Sequence, residues 1–274
     1  MSLRAAIIAL PLTALFASGC RDSMAAPQVS WRSVQPGTEL AILTPQAKAS
    51  GPLHVVRVDA RRAKVGMALS SQEKVPARTA AEWCRKAGLA VAINAGMFQT
   101  DQRSNVGYLR HGQHLNNKRW NAYRSVLGIN PKGKSLPAVL WLDRETSQTD
   151  PRLADYEVVV QNLRLIARSR RNVWSPSVKR WSEAALAVDS QGRLLFLFSR
   201  APYSMRDFNA MLLALPLDVV AAMHLEGGPE ASLSIHAPGI DLDLAGSYET
   251  GFLPNDSNDR QWPIPNVLGV MREE

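Results

Sequence analysis

The sequence predicts a single α+β domain with a mixed, largely antiparallel sheet and a few helices. Short apolar runs bounded by turn residues recur along the chain, as they do in strands joined by hairpins. Two of them, residues 125–134 and 184–199, read as strand, glycine-containing turn, strand. Helical spacing of apolar residues is confined to two short stretches, residues 79–88 and 205–215. No boundary between domains is evident after residue 51.

The composition is that of a folded globular protein. A length of 274 residues is ample for one core, and 46% apolar and 20% charged residues are ordinary proportions. The net charge of +8 favours anionic partners, such as envelope polymers or substrates that carry phosphate. The basic residues are scattered and match no nucleic-acid-binding motif, so no nucleic-acid partner is predicted.

The first 19 residues predict a lipoprotein signal peptide. A short basic start precedes the apolar stretch 5–17, which is too short to span a bilayer because spanning takes about 20 residues. The Ala-Ser-Gly-Cys sequence that follows resembles a bacterial lipobox, in which Cys20 becomes the lipidated first residue. With Arg21 after it, Cys20 predicts attachment to the outer membrane, facing the periplasm. Cleavage after Ala25 or Ala26, which gives a soluble periplasmic protein, is the alternative.

Residues 20–50 are predicted to be the lipidated cysteine and a tether, because they are rich in Ala, Pro, Ser and Gln. The domain proper is predicted to span residues 51–274. Cys84 is the only other cysteine, so lipidation of Cys20 leaves it no disulfide partner. We therefore expect Cys84 to be a small buried apolar residue.

The first half of the domain alternates strands with one helix. Residues 53–60 alternate in polarity and are β-branched, which predicts a half-buried strand. The helix over residues 79–88 ends at a glycine, and residues 89–94 predict a buried strand. Residues 106–113 predict a strand that enters a turn.

The second half also combines strands with one helix. Ser204 is a suitable N-cap for the helix over residues 205–215. Residues 144–183 are polar, irregular and rich in arginine, and predict surface excursions. Further strands are predicted over residues 219–225, 232–235 and 267–271.

Polar side chains end two of the predicted buried strands. Asn94 ends one and is followed closely by Gly96, whereas Glu226 ends another and is followed by Gly227 and Gly228. Because glycine allows the backbone to approach a ligand, two such strand ends predict a pocket over a sheet edge. The alternatives are that Asn94 caps a turn and that Glu226 fixes one by accepting backbone hydrogen bonds.

Several common catalytic motifs are absent from the sequence. It contains no Gly-x-Ser-x-Gly elbow, no Walker A loop and no His-Glu-x-x-His, and its five histidines have no metal-ligand spacing. No cofactor is predicted. Carboxylates at strand ends leave a divalent metal ion open, with no ligands assigned.

Five segments, in this order, resemble the phosphodiester glycosidase domain family: AINAGMF (92–98), NVGYLRHGQ (105–113), SVLGIN (125–130), AALAVDSQGRLLFLFSR (184–200) and LEGGPEASL (225–233). The resemblance covers about residues 51–272. It implies a hydrolase, because the family includes the enzyme that uncovers mannose 6-phosphate by removing N-acetylglucosamine from a phosphodiester. This chain has Glu226 where Asp-Gly-Gly is common and Ala95 where glycine is frequent, as in a bacterial subgroup with Glu-Gly-Gly-Pro-Glu-Ala.

The resemblance implies that Glu226 works beside the anomeric carbon of a sugar, with Asn94 as the second catalytic candidate. Phosphate is a weakly basic leaving group, so one carboxylate suffices if cations neutralise the phosphate. Arg124 and Arg200 are the candidates for those cations, because arginine binds phosphate in bidentate fashion and Arg200 shortly precedes a predicted helix N-terminus. The alternative for each arginine is a solvated surface charge.

Three further residues are candidates for the same pocket. Glu230 is either a partner carboxylate or a loop anchor, and Ser182 is a candidate hydrogen-bond partner of the substrate. His224 lies two residues before Glu226 and is predicted to share its face of the strand, or to be a satisfied core histidine.

Two main functions remain open. One is an envelope-associated hydrolase of a sugar–phosphate bond, and the other is a non-catalytic periplasmic lipoprotein that binds an envelope glycan in the same pocket. A structural lipoprotein with an inactive pocket is a third. The predicted partners are a sugar-phosphate or envelope glycan, and the membrane through Cys20.

Overall fold

The computed structural model describes residues 28–45, 51–145 and 150–273, and it is largely β. Strands account for 47% of the residues and helices for 12%. The predicted α+β class is therefore wrong, because the helices are too few and too short to form a layer of their own. The expectation of a mixed sheet is also corrected, since every strand pair among the described residues is antiparallel.

The strands in the described part of the chain form three sheets. The first sheet contains, in spatial order, β1 (Arg32–Gln35), β2 (Thr38–Leu43), β3 (Leu53–Val58), β14 (Leu194–Tyr203), β13 (Trp181–Asp189), β15 (Val219–Gly227), β11 (Arg164–Ala167) and β12 (Arg171–Asn172). The second contains β7 (His114–Asn117), β6 (Leu109–His111), β10 (Tyr156–Asn162), β8 (Ser125–Pro131) and β9 (Val139–Asp143). The third contains β17 (Ile240–Ala245), β16 (Ser232–Ala237), β5 (Leu89–Asn94), β18 (Asn266–Met271) and β4 (Val65–Leu69).

The α-helices in the described residues are α1 (Ser70–Glu73), α2 (Ala80–Lys86) and α3 (Met205–Ala214). Helix α2 packs on the third sheet and buries Trp83 and Cys84, so the expectation for Cys84 is confirmed. Helix α3 begins at the predicted N-cap, where the Ser204 hydroxyl accepts a hydrogen bond from the backbone N–H of Asp207.

Two of the four hydrophobic clusters in the described residues lie on opposite faces of β13, β14 and β15. Along β14, Phe196 and Phe198 face the central core shared by the three sheets, whereas Leu195 and Leu197 face the core beneath α3. A strand covered on both faces reads as a continuous apolar run rather than an alternating one. These covered strands form the rigid support of the pocket described below.

The predicted tether is shorter than the sequence indicated. Residues 32–43 form β1 and β2, and β2 pairs along its whole length with β3. Val34, Leu40 and Ala41 are buried, so the folded domain begins before Gly51. Pro and Gln in this segment concealed the alternation of Thr38–Leu43.

The prediction of surface excursions over residues 144–183 holds for residues 168–171 and 175–180, which are exposed, but not for the strands before them. Strands β10 and β11 lie in this segment and are almost fully buried. Arg168 and Arg170 are exposed, yet their guanidinium groups bind the backbone: Arg168 donates to the carbonyl oxygen of Trp141, and Arg170 to that of Val219. Long arginine side chains can cover apolar surface while their guanidinium groups bind backbone carbonyls.

The predicted signal peptide and Cys20 lie outside the described residues, so lipidation and envelope location stay predictions. Within the part of the chain that the structure describes, no helix is long and apolar enough to cross a membrane.

Candidate active site

A pocket of about 440 Å³ opens at the end of the first sheet, where β13 begins and β15 ends. Its polar lining comes from His224, Glu226, Glu230 and Glu249. Its apolar lining includes Trp181, Phe98 and Leu163. A cavity of this size with an aromatic wall and converging carboxyl groups is typical of a small-ligand site.

Glu226 lies in this pocket because a β-bulge turns it there. Ala185 pairs with His224 but Ala184 pairs with Glu226, so Leu225 is the extra residue of β15. Paired residues point to the same face, and Ala184 faces the central core whereas Ala185 faces the core under α3. The expectation that His224 and Glu226 share a face is therefore wrong. Both still line the pocket, which opens at the end of the sheet.

The environment of Glu226 favours a protonated carboxyl group. Burial raises its pKa to about 8, and the nearby carboxylates of Glu230 and Glu249 act in the same direction. The positive charge of His224 and a 3.1 Å hydrogen bond from the Gly227 N–H to Oε1 oppose this rise without cancelling it. At neutral pH, Glu226 thus holds a proton beside the pocket.

Two glycines after Glu226 let other side chains close in on it. A Cβ on Gly227 would lie 2.6 Å from Cδ1 of Trp181, and a Cβ on Gly228 would collide with the carboxylate of Glu249. Gly228 also has φ +65°, a conformation that side chains disfavour. The glycines therefore allow Trp181 and Glu249 to form the wall of the pocket.

Glu230 and Glu249 complete a group of three carboxyl groups. Burial raises the pKa of each, and the negative charge of Glu249 adds to the rise at Glu230. Titratable groups in one pocket whose pKa values differ can divide the roles of proton donor and proton acceptor. Glycoside hydrolysis uses such a pair of carboxyl groups.

A buried pair, His224 and Glu183, lies beside these three carboxyl groups. The Nδ1 atom of His224 lies 2.5 Å from Oε1 of Glu183, and the indole N–H of Trp181 donates to Oε2 of Glu183 at 2.7 Å. Burial lowers the pKa of His224, but attraction to Glu183, Glu226 and Glu249 outweighs it and the pKa is raised. Glu183 thus holds both the imidazole and the indole that line the pocket.

Replacing Glu183 by Gln is expected to lower the pKa of His224. The substitution keeps the size of the side chain but removes the negative charge that favours the imidazolium form. NMR titration of the His224 ring protons measures the change, with His111 on another sheet as the internal reference. A titration of His224 that is unchanged in the folded variant would show that Glu183 does not set its charge.

Sequence reasoning missed three of these residues. Glu249 lies in a loop, and isolated β-bridges to Trp181 and Leu253 hold it at the pocket. No sequence motif indicates this position. Trp181 precedes the apolar part of β13 and was not a candidate. Glu183 carried a usable signal, because it stands at the start of one buried strand as Glu226 stands at the end of its neighbour.

Asn94 and Gly96 lie beside the pocket rather than in its lining. The Asn94 side chain accepts from the Ser232 N–H at 2.8 Å and donates to the Glu230 carbonyl at 3.0 Å, so it positions the turn that carries Glu230. A Cβ on Gly96 would collide with the amide of Asn162, which donates to the carbonyl of Ala95. Both residues thus set the backbone around the site.

Ser182, Arg200 and Arg124 also lie outside the pocket lining. The Ser182 hydroxyl donates to the Arg200 carbonyl and accepts from the Ser247 N–H. The Arg200 guanidinium donates to the carbonyls of Ala245 and Asn258 and pairs with Asp256. These contacts tie Arg200 to the residues on either side of the Glu249 loop. Arg124 pairs with Glu145 and lines a neighbouring pocket.

Comparison with known proteins identifies the family of this chain. The sequence model of the phosphodiester glycosidase family matches residues 87–271. The chain belongs to the phosphodiester glycosidase family. The resemblance found in the sequence is thereby confirmed, and family membership indicates a phosphodiester glycosidase-type hydrolase. Among curated proteins, no sequence matches this chain.

Two solved structures share the fold of this phosphodiester glycosidase family member. One is the catalytic domain of zebrafish N-acetylglucosamine-1-phosphodiester alpha-N-acetylglucosaminidase, auto-inhibited by its pro-peptide, with a TM-score of 0.59 and 12% identity over 88% of this chain and 85% of that one. The other is a hypothetical protein from Synechocystis, with a TM-score of 0.56 and 16% identity over 90% of this chain and 64% of that one. All the carboxyl groups described above lie within the residues that the family model matches.

Proposed function

We propose that this chain hydrolyses a sugar–phosphate (phosphodiester) glycosidic bond, with Glu226 as the proton donor. The observation that carries the proposal is the pKa of about 8 of Glu226, in a pocket shared with Glu230 and Glu249. A pocket that only binds a glycan has no need for a carboxyl group that stays protonated at neutral pH. Proton donors in catalysis have pKa values raised towards the working pH.

The proposed reaction uses carboxyl groups of this chain and one water molecule. The sugar lies in the carboxyl-lined pocket, and its hydroxyl groups bind to the carboxyl oxygens. The bond between the anomeric carbon and the phosphate oxygen breaks, Glu226 gives its proton to that oxygen, and water supplies the new hydroxyl group. Glu249 takes the proton of that water.

The protonated state of Glu226 serves the reaction in two ways. A neutral carboxyl group removes one negative charge from a site that an anionic phosphodiester must approach. It also provides an O–H donor for the departing oxygen. Because phosphate is a weakly basic leaving group, a weak acid such as Glu226 is sufficient.

Hydrolysis assays with the full chain in detergent test the proposal. We expect release of sugar from aryl phosphodiesters of glucose, mannose and N-acetylglucosamine, or from UDP-N-acetylglucosamine, and loss of that release in Glu226→Gln. The absence of turnover on every substrate, together with a melting temperature raised by envelope glycans, would favour the glycan-binding protein instead.

A further inference from the structure

A second pocket of about 530 Å³ adjoins the first. Leu163 lines both, so the two share a wall. Tyr123 also lies near both pockets. Burial and the negative charge of Glu226 raise the pKa of its hydroxyl group, and the next residue, Arg124, lines the second pocket. A ligand bound at Glu226 can therefore extend towards Arg124.

The two pockets differ in charge. The first is lined by Glu226, Glu230 and Glu249, and no lysine or arginine is among its lining residues. The second is lined by Arg124 and Arg164, with no acidic residue in its lining. A neutral sugar suits the first pocket, and an anionic group suits the second.

Both arginines already form ion pairs with one carboxylate of the protein, that of Glu145. Glu145 accepts from Nη1 of Arg124 through Oε2 at 2.8 Å and from Nη1 of Arg164 through Oε1 at 2.5 Å. Two guanidinium groups on two oxygens of one anion is also the arrangement that binds phosphate. Glu145 thus stands in for an external anion.

The two arginines differ in exposure, and Glu145 is itself exposed. The Arg164 side chain is 10% exposed and is kept in place by β11 and by Asp143, 3.7 Å away. The side chains of Arg124 and Glu145 are 53% and 58% exposed. The exposed Arg124–Glu145 pair contributes little to stability, and a phosphate that displaces Glu145 replaces its hydrogen bond to the buried Arg164. Arg164 then provides the fixed part of the site and Arg124 the adjustable part.

We propose that Arg124 and Arg164 bind the phosphate of the leaving group, and that Glu145 is an internal anion that departs when substrate binds. The inference rests on the proposed function. It specifies a substrate whose sugar binds in the first pocket and whose phosphate binds in the second, on the arginine side of Leu163. The glycosidic bond then spans the boundary between the two pockets. Glu145 lowers the affinity of the resting site for phosphate.

Binding of methyl phosphate to the full chain, measured by calorimetry, tests this without any turnover. We expect Arg124→Gln to weaken binding about 10- to 100-fold, since a hydrogen bond to a charged group is lost. Glu145→Gln has the opposite sign and is expected to tighten binding up to about fivefold. Arg61→Gln is the matched control, because Arg61 is an exposed arginine paired with Asp59 elsewhere on the surface and the net charge changes equally.

Equal effects of Arg124→Gln and Arg61→Gln would overturn the proposal, as would weaker binding in Glu145→Gln. The outcome is separable from that of the proposed function. Methyl phosphate binding with these variant effects, but no hydrolysis, supports the phosphate site and refutes the hydrolase. Hydrolysis with a KM that neither variant changes supports the hydrolase and refutes the phosphate site.

Discussion

Glu226→Gln is expected to lose about 10²- to 10⁴-fold in turnover while the protein stays folded, because the proton donor is removed and its shape is kept. The same group sets the pH dependence of the native enzyme. Since the pKa of Glu226 is about 8, kcat/KM is expected to fall as the pH rises above that value and the proton is lost.

The stability of this variant is expected to depend less on pH than that of the native protein. The pKa of Glu226 is raised from the ordinary 4.5 to about 8 on folding, so between these values the folded state holds a proton that the unfolded state has released. The free energy of unfolding then falls with rising pH, by about 1.4 kcal/mol per pH unit from this group. The stabilisation is complete below about pH 4.5 and is lost as the pH passes about 8. Glutamine does not ionise, so Glu226→Gln gains stability relative to the native protein over this window.

Initial rates and urea unfolding between pH 5 and pH 9 measure both effects. Glu273→Gln is the control, because it removes an exposed carboxylate outside the pocket. Equal pH slopes for the native protein and Glu226→Gln would show that Glu226 is ionised in the folded state, and the role of proton donor would then be wrong.

Gly228→Ala is expected to lose both stability and activity, whereas Gly88→Ala loses stability alone. Both glycines have φ +65°, so an alanine in either place costs about 1–2 kcal/mol in backbone strain. A Cβ on Gly88 meets nothing within 4 Å, but a Cβ on Gly228 collides with the Glu249 carboxylate. The displacement of Glu249 is expected to lower kcat about 100-fold.

Urea unfolding and initial rates of the two variants separate strain from the collision. Similar losses of stability with a loss of turnover in Gly228→Ala alone would place Glu249 in the chemistry. If Gly228→Ala keeps native turnover, Glu249 does not take part as we propose.

The strand-end acid and its glycines were predictable from the sequence because their signals are local. Glu226 follows an apolar run directly, and Gly227 and Gly228 follow it in turn. Glu249 was not predictable, since it reaches the pocket through bridges from a loop. Asn94 had the same local signal as Glu226, yet its side chain stabilises a turn. The local pattern does not distinguish the strand end that faces the cavity from the one that does not.

The fold was predictable where hydrophobic patterning was strong. The helices around Trp83 and Phe208 and the strands beside them lie where the periodicity placed them. Strands β10 and β11 were missed because the surrounding arginines were taken as a sign of solvent. The class was misjudged because two short helices were given the same importance as the sheets.

The bulge at Leu225 lets β15 carry one residue more than β13 while its acid still pairs with Ala184. Without the bulge, at unchanged length, Leu225 would pair with Ala184 and Glu226 with Glu183, and the acid would point towards α3. Relatives should therefore be aligned on the residue that pairs with Ala184, with a gap allowed at Leu225. Deletion of Leu225 would keep the acid in register with Ala184, whereas loss of the bulge at unchanged length would turn the acid to the other face of the sheet.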